Sequence, residues 1–317
     1  MNMKRREFIT LVGVAAVMGP GAARAEQARE LPTIGFLGPA RWAPGFEERL
    51  RELGWIAGRT VAIEYRSAEG QTERLTEIAT EFVRLKVNVI VTVGAASTLA
   101  AKRATLLIPI VFISGDPIGS GLVESWARPG GNTTGLTFHS IGLAGKRLDL
   151  LREVVPGFRR LSVMVNANIP GFQSRMDEVQ AAASTLGLEA TILEIRRAED
   201  VAPAFEAIRD RADALYVVGV PLAFAIPTLA LAARIPTTSD FRDFVDAGGL
   251  MSYGVNSTDL LRLAANFVDR ILRGAKPADL PVQQPTKFHL VINLRTAKAL
   301  GLNIPESFLL RADEVIE

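Results

Sequence analysis

The 317-residue sequence has no cysteine and only two histidines, His139 and His289. The missing thiol excludes a disulfide, a thiolate zinc site, an iron–sulfur cluster and a lipidated N-terminal cysteine. The histidines stand far apart, with neither H-x-x-x-H nor H-E-x-x-H spacing, so no metal-ligand set is read from the chain. His139 falls in a connecting segment, where a hinge role outweighs a catalytic one. No G-x-S-x-G elbow occurs. The run Gly142-Leu143-Ala144-Gly145-Lys146-Arg147 imitates the end of a phosphate-binding loop. It has Ser140 in the first glycine position, however, and Arg147 where a hydroxyl belongs. No G-x-G-x-x-G follows the first apolar run, where only Gly35 and Gly38 stand. These gaps weigh against an enzyme, and no cofactor is expected. Charge of one sign is also scarce. The formal net charge is +2, and the first 25 residues alone carry +3 through Lys4, Arg5, Arg6 and Arg24 against Glu7, leaving −1 on the rest. That balance offers no case for binding nucleic acid or an anionic membrane. Long hydrophobic runs are missing too. The stretch at residues 11–18 is far short of the roughly 20 residues that span a bilayer.

What stands at the N-terminus is an address. Basic residues Lys4, Arg5 and Arg6 precede the apolar run, Gly19-Pro20-Gly21 breaks it, and Ala23-Arg24-Ala25 supplies a small-residue cleavage site. Arg5-Arg6 followed by Glu7-Phe8-Ile9 resembles the twin-arginine export motif. Residues 1–25 are therefore expected to be an export signal ending at Ala25. The mature chain is expected to be a soluble, non-lipidated periplasmic protein.

Beyond it, two series of short β-branched runs alternate with helical stretches. The first series places strands at 33–37, 60–65, 88–93 and 109–113. Between them Leu75, Ile78, Ala79, Phe82 and Leu85 form one helical stripe behind a cap at Thr72. The second places strands at 161–165, 190–195, 214–219 and 235–238, with helices near 142–155, 172–186, 200–210 and 224–234. Strand, helix, strand at this spacing predicts parallel sheets covered on both faces. Two similar series predict two α/β lobes. Irregular stretches at 133–140, 249–256 and 277–287 read as crossings between them, with a Ser257-capped helix ended by Gly274 and a strand-like 288–293 in the last third.

In open parallel sheets the ligand crevice lies beyond the strand C-termini, so the loops there carry the candidates. Ala95, Ser97 and Thr98 follow the third run. Small residues let a ligand approach the backbone there, and a helix start offers free N–H groups to a carboxylate or phosphate. Ser97 or Thr98 alternatively caps its own helix. Gly115 and Asp116 follow the fourth run, and Asp116-Pro117 is turn chemistry before it is a ligand acid. Trp42 is either a stacking platform at the cleft mouth or packed on its own helix. Asn168 and Val220 follow strands of the second series. Asp240 either meets a ligand ammonium or caps a helix starting at Phe241.

Several blocks taken together resemble a known family. They are Ile34-Gly35-Phe36-Leu37, Ile63-Glu64-Tyr65-Arg66, the run from Gly115-Asp116-Pro117 to Leu122-Val123, and Arg128-Pro129-Gly130-Gly131-Asn132-Thr133-Thr134-Gly135. Gly248-Gly249-Leu250-Met251-Ser252-Tyr253-Gly254, Ile271-Leu272-Arg273-Gly274 and Pro285-Thr286-Lys287-Phe288 continue the match. The chain is similar to the substrate-binding proteins of a bacterial ABC-transporter family with tryptophan/tyrosine-binding members. The resemblance implies a type I periplasmic-binding-protein architecture: two Rossmann-like lobes with parallel sheets and a ligand cleft between them. The lobes are expected at 30–135 plus 254–280 and at 136–253 plus 281–317. It further implies that residues 95–98 with Gly115 and Asp116 hold an α-carboxylate and that Asp240 meets an α-ammonium. The expected function is a monomeric receptor that captures a small, carboxylate-bearing, amino-acid-like or aromatic solute by hinge closure and delivers it to an ABC permease. A ligand sensor for a kinase or chemoreceptor and an exported hydrolase are the alternatives.

Overall fold

Five short runs rich in β-branched residues form the first sheet of a computed structural model, which describes residues 31–69, 71–138, 143–169, 171–219 and 225–317. The expected export residues Arg5, Arg6 and Ala25 lie outside the described residues, as do His139 and Val220. The strands are β1 (Thr33–Leu37), β2 (Ala62–Arg66), β3 (Val89–Val93), β4 (Ile110–Ser114) and β5 (Thr133–Thr137), in the order β2-β1-β3-β4-β5, all parallel. Its helices are α1 (Ala43–Glu52), α2 (Thr72–Arg84) and α3 (Ala95–Ala104). β4 and the edge strand β5 are buried along their whole length, β5 because the later helix Ser257–Leu272 and the segment at 280–283 cover it, whereas the opposite edge strand β2 is only half-buried. Gly35 is what lets α2 sit close. A Cβ there would stand 2.8 Å from the Phe82 ring, which is fully buried against β1.

The second sheet is larger and mixed. In chain order come α4 (Leu143–Val154), β6 (Arg160–Asn166), α5 (Phe172–Thr185), β7 (Glu189–Ile195), α6 (Val201–Ile208), β8 (Ala214–Val218), α7 (Ile226–Ala232), β9 (Thr237–Ser239), α8 (Arg242–Asp246) and β10 (Met251–Gly254). The chain then leaves as α9 (Ser257–Leu272) and returns as β11 (His289–Asn293), α10 (Leu294–Leu300), α11 (Glu306–Leu309) and β12 (Glu314–Ile316). The strand order is β12-β11-β10-β9-β8-β6-β7. Every pairing is parallel except β10 with β11, which departs from the all-parallel expectation. The reason is topological. The chain leaves the sheet at Gly254 and re-enters at His289, its register partner, so the returning strand runs the opposite way.

α9 belongs to the first lobe. Leu260, Leu261, Ala264, Ala265, Phe267, Val268 and Ile271 pack into one core with Ile34, Phe36, Phe46, Val89, Val91 and Val111. Its cap is Asn256, whose side-chain oxygen accepts from the N–H groups of Thr258 and Asp259, rather than Ser257. Thr72 likewise opens α2 as its first residue, and Gln71 occupies the cap position. The core of the other lobe gathers Leu148, Leu151, Val163, Val165, Tyr216, Met251, Ile292 and Phe308. Two boundaries lie a few residues beyond those expected. β5 carries the first sheet to Thr137, and Gln283 pairs with Leu136 and bonds Gly135 and Thr137, which keeps residues 281–283 with the first lobe. Among the described residues no helix is long and apolar enough to cross a membrane.

Candidate functional site

The C-terminal ends of the strands in the two sheets face one another, and contacts across the gap mark where they meet. Arg41 Nε donates to Asp243 Oδ2 at 2.7 Å, and the Trp42 indole N–H reaches the same oxygen at 3.4 Å. The edge of one ring of the Phe138–Phe241 pair meets the other, with centroids 5.2 Å apart and planes at 71°. A Cβ at Gly115 would lie 3.8 Å from Arg175 Nη1, and one at Gly171 would lie 3.5 Å from Asp116 Cβ. In this conformation the lobes are apposed.

From the first lobe, Gly94 turns β3 into α3 with φ 95° and ψ 153°, a conformation that disfavours any side chain. The first three N–H groups of α3, at Ala95, Ala96 and Ser97, have no carbonyl partner within the helix and carry the positive end of its dipole. The Ser97 hydroxyl donates to the Val93 carbonyl at 2.9 Å and the Thr98 hydroxyl to the Gly94 carbonyl at 2.8 Å. With its one proton so used, Thr98 Oγ1 accepts from the Thr92 hydroxyl at 2.9 Å. What α3 offers outward is therefore main chain. Its last turn fixes the neighbouring loop, since Lys102 Nζ donates to the carbonyls of Gly121 and Leu122. Asp116 accepts the Gly119 N–H at 2.8 Å, the turn geometry expected of Asp-Pro. Two hydroxyls in this stretch, Ser114 Oγ at the end of β4 and Ser120 Oγ, are buried without a hydrogen-bond partner. Trp42 is 6% exposed and packs in the lobe core, so only its N–H edge addresses the gap.

The second lobe contributes a buried charged cluster. Asp240, just past β9, accepts from the Tyr216 hydroxyl at 2.6 Å and is paired with Arg147 at 3.1 Å and with Arg175. Arg147 also donates from Nε to the Tyr253 carbonyl at 2.6 Å and from Nη1 to the Tyr216 oxygen at 2.9 Å. Burial works against the Arg147 charge. Asp240 and Tyr216 beside it outweigh that penalty and hold its pKa above the ordinary value. Burial pushes the Tyr216 phenol up, so it remains a neutral donor. Asp240 does not cap α8, whose cap residue Phe241 makes no side-chain cap bond. Its carboxylate lies beside two guanidiniums instead, a setting different from the one expected for an ammonium partner. Thr238 Oγ1, in register with Tyr216 on the adjoining strand, is a third buried hydroxyl without a partner.

None of Arg147, Arg175, Tyr216, Phe138 and Phe241 is among the site residues that the sequence suggests. The signal was present in the helices. Arg147 lies on the α4 face of Ala144, Leu148 and Leu151, and Arg175 on the α5 face of Met176 and Val179, and a charge on a buried stripe needs a partner. Asn168 sits on the exposed rim, where its side-chain amide donates to the Arg196 carbonyl at 2.7 Å and pins one loop to the next. A separate cavity of about 250 Å³ adjoins the crossings and is lined by residues that include Arg242, Asn256, His289 and Glu314. Arg242 is already paired there with Glu314 and Asp246. Among the described residues no group of three or more His, Asp or Glu is placed to hold a metal ion.

Comparison with known proteins bears on the fold and the family. A tyrosine-binding protein of Clostridioides difficile (strain R20291) is 27% identical over 264 residues, 81% of this chain and 76% of that protein. An ABC domain from Streptococcus pneumonia solved in complex with L-Trp superposes with a TM-score of 0.84 at 24% identity, over 90% of this chain and all of that one. The ligand-free, open structure of a Clostridium difficile substrate-binding protein with adhesive properties superposes with a TM-score of 0.68 at 25% identity, over 90% and 99% of the two chains. The family described as ABC transporter substrate binding protein matches residues 38–316, nearly all of the described chain. Matched over that span, and carrying two apposed α/β lobes, the chain belongs to the ABC transporter substrate-binding protein family.

Proposed function

We propose that this protein is an extracytoplasmic receptor that closes on a small carboxylate-bearing solute, amino-acid-like or aromatic, and delivers it to an ABC permease without changing it chemically. The observation that carries the reading is the two sets of strand C-terminal ends brought together across the gap. On one side are the free main-chain N–H groups of α3 and the loop at Gly115 and Asp116. On the other is the Arg147–Asp240–Arg175 cluster. A solute that touches both sides makes more contacts in the closed form than in the open one, and so shifts the hinge equilibrium toward closure. The better superposition on the L-Trp complex than on the open, ligand-free relative supports the view that the conformation described is a closed one. The tyrosine-binding relative supports an amino-acid-like or aromatic solute.

In this reading a ligand carboxylate meets the N–H groups of Ala95, Ala96 and Ser97, while the Ser97 and Thr98 hydroxyls hold the turn that presents them. The ring pair Phe138–Phe241 forms an apolar wall beside the gap. The test is a thermal-shift screen of amino acids, aromatic acids and short carboxylates. Small-angle scattering follows closure, and mass spectrometry follows the fate of each hit. A ligand that binds only the folded state raises the melting temperature by mass action. The expected result is a hit that compacts the protein and is recovered intact. A product in the mass spectrum, or stabilisation without compaction, would overturn the proposal.

A further inference from the structure

Resting on the receptor reading above, we infer that Arg175 is the second-lobe residue that reads the solute's carboxylate, with the Ser114 and Ser120 hydroxyls donating beside it from the first lobe. Net charge does not single out this seat. Arg147 and Arg175 stand against Asp240, and Glu178 acts on Arg147 as well. What separates the two arginines is the donor capacity they have left. A guanidinium carries five N–H donors and no acceptor. Arg147 spends Nε on the Tyr253 carbonyl and Nη1 on Tyr216 and Asp240. Arg175 is 7% exposed, and among the described residues it donates from Nη2 to Asp240 and from no other nitrogen. Its Nε and Nη1 are therefore left in a nearly desolvated setting without an acceptor, which is costly for a charged group.

The spare edge lies at the seam between the lobes. A Cβ at Gly115 would stand 3.8 Å from Arg175 Nη1. The first-lobe loop at that point holds two buried hydroxyls without partners. Ser114 Oγ ends β4 immediately before Gly115. Ser120 Oγ would be 3.8 Å from a Cβ at Gly171, whose carbonyl takes the Arg175 N–H. Asp116, between them in sequence, takes the Gly119 N–H of its own turn, and Arg175 is ion-paired with Asp240 alone among the described acids. Buried donors are nearly always bonded in a completed structure. A carboxylate offers about four acceptor sites on two oxygens and takes charge-assisted bonds, the stronger kind. It is the one common solute group that meets a guanidinium edge and two hydroxyls together. The start of α3 is close by, since the Gly94 N–H donates to the Ile113 carbonyl one residue before Ser114. A carboxylate held from both lobes is what closure would lock in. The seat reads that group alone, so an amino acid and its deaminated counterpart both qualify.

The experiment compares acids with their neutral carboxamides: L-tyrosine with L-tyrosinamide, L-tryptophan with L-tryptophanamide, and 3-phenylpropionate with 3-phenylpropionamide. Calorimetric titration of the full chain is expected to give at least one acid a Kd more than tenfold below that of its amide. The α3 N–H groups would also favour an acid, so the assignment rests on the variants. In Arg175→Gln the acid-to-amide preference should fall at least tenfold, and in Arg175→Lys it should fall less. A merely structural role for Arg175 would weaken acid and amide alike and leave their ratio unmoved, and that result in a folded variant would overturn the inference. Ser114→Ala keeps the test open if Arg175→Gln fails to fold. Because that hydroxyl bonds nothing in the protein, the melting temperature without solute should not drop, while acid affinity falls several-fold. Undiminished acid affinity in Ser114→Ala would count against the seat. If none of the three acids binds more tightly than its amide, the inference falls, and the receptor reading stands or falls separately on the wider screen.

Discussion

Removing the Asp240 carboxylate tests whether the second lobe is built around a charged core. In Asp240→Ala the guanidiniums of Arg147 and Arg175 stay buried with their shared counter-charge gone, and the Tyr216 hydroxyl loses its acceptor. Breaking a buried pair by deleting one partner costs about 3–5 kcal/mol, because the charge left behind is uncompensated. That is a large part of the 5–15 kcal/mol typical of a folded domain. At about 2–4 °C per kcal/mol for a chain of this size, the melting temperature should fall by roughly 6–20 °C. Urea unfolding should be followed by two probes. Far-UV circular dichroism reports the whole chain. All three tryptophans, Trp42, Trp55 and Trp126, pack with first-lobe clusters, so their fluorescence reports that lobe, with Trp42 also sensing its contact with Asp243. A separation of the two transitions in the variant would show the second lobe melting first. A cost below about 1 kcal/mol would mean that Arg147 and Arg175 find other partners or water, and the account of a desolvated cluster would be wrong.

Three further outcomes are expected. Gly254→Ala should destabilise by about 1–3 kcal/mol in urea titration, since the new Cβ would stand 1.9 Å from the Asp240 carbonyl oxygen and neither backbone has room to retreat. Asp213 is held down to about 2 from its ordinary 3.8, first by the Arg160 guanidinium and also by the N–H groups of Arg160 and Arg159. A depressed folded pKa means the stabilisation is whole above about pH 4 and is lost as pH falls through 2. Asp213→Asn should therefore cost on the order of 1 kcal/mol at pH 6, reduced by the exposure of Arg160, and less at pH 3; equal cost at both would refute the assignment. Asp243→Ala removes the Arg41 and Trp42 contacts between the lobes without touching the cluster. It should raise the open fraction in small-angle scattering and weaken solute binding less than tenfold, as a partly exposed pair is worth about 0–1 kcal/mol.

Much of the architecture is legible in the sequence, because buried parallel strands require apolar β-branched runs and α2 shows a clean helical stripe. β12 is not, since Glu314–Ile316 has three residues, two of them apolar, and only its neighbour β11 makes it a strand. β5 reads as a crossing because Thr133-Thr134-Gly135-Leu136-Thr137 carries a single large apolar side chain, yet burial on both faces is complete. At the site, the loops after the strands are legible through topology alone, whereas the fate of each side chain is not. Ser97 and Thr98 advertise hydroxyls, and the helix consumes them one turn back. Asp240 advertises a lone acid, and its arginine partners among the described residues, Arg147 and Arg175, come from 93 and 65 residues away in the chain. No local pattern announces such a pairing. An arginine on an apolar helix face is the trace it leaves.

The path of α9 has a consequence for how the molecule is made. The apolar underside of the first sheet is closed by Leu260, Leu261, Ala264, Phe267 and Val268, which the ribosome delivers only after the whole of β6 to β10. A nascent chain that has emerged as far as Thr137 holds five strands with one side bare, so this lobe waits, exposed, for a segment more than 100 residues downstream. Its partner sheet is likewise unfinished until β11 appears. Assembly is therefore a late and nearly simultaneous event for both halves, and a truncation anywhere before residue 283 spoils the lobe that was synthesised first.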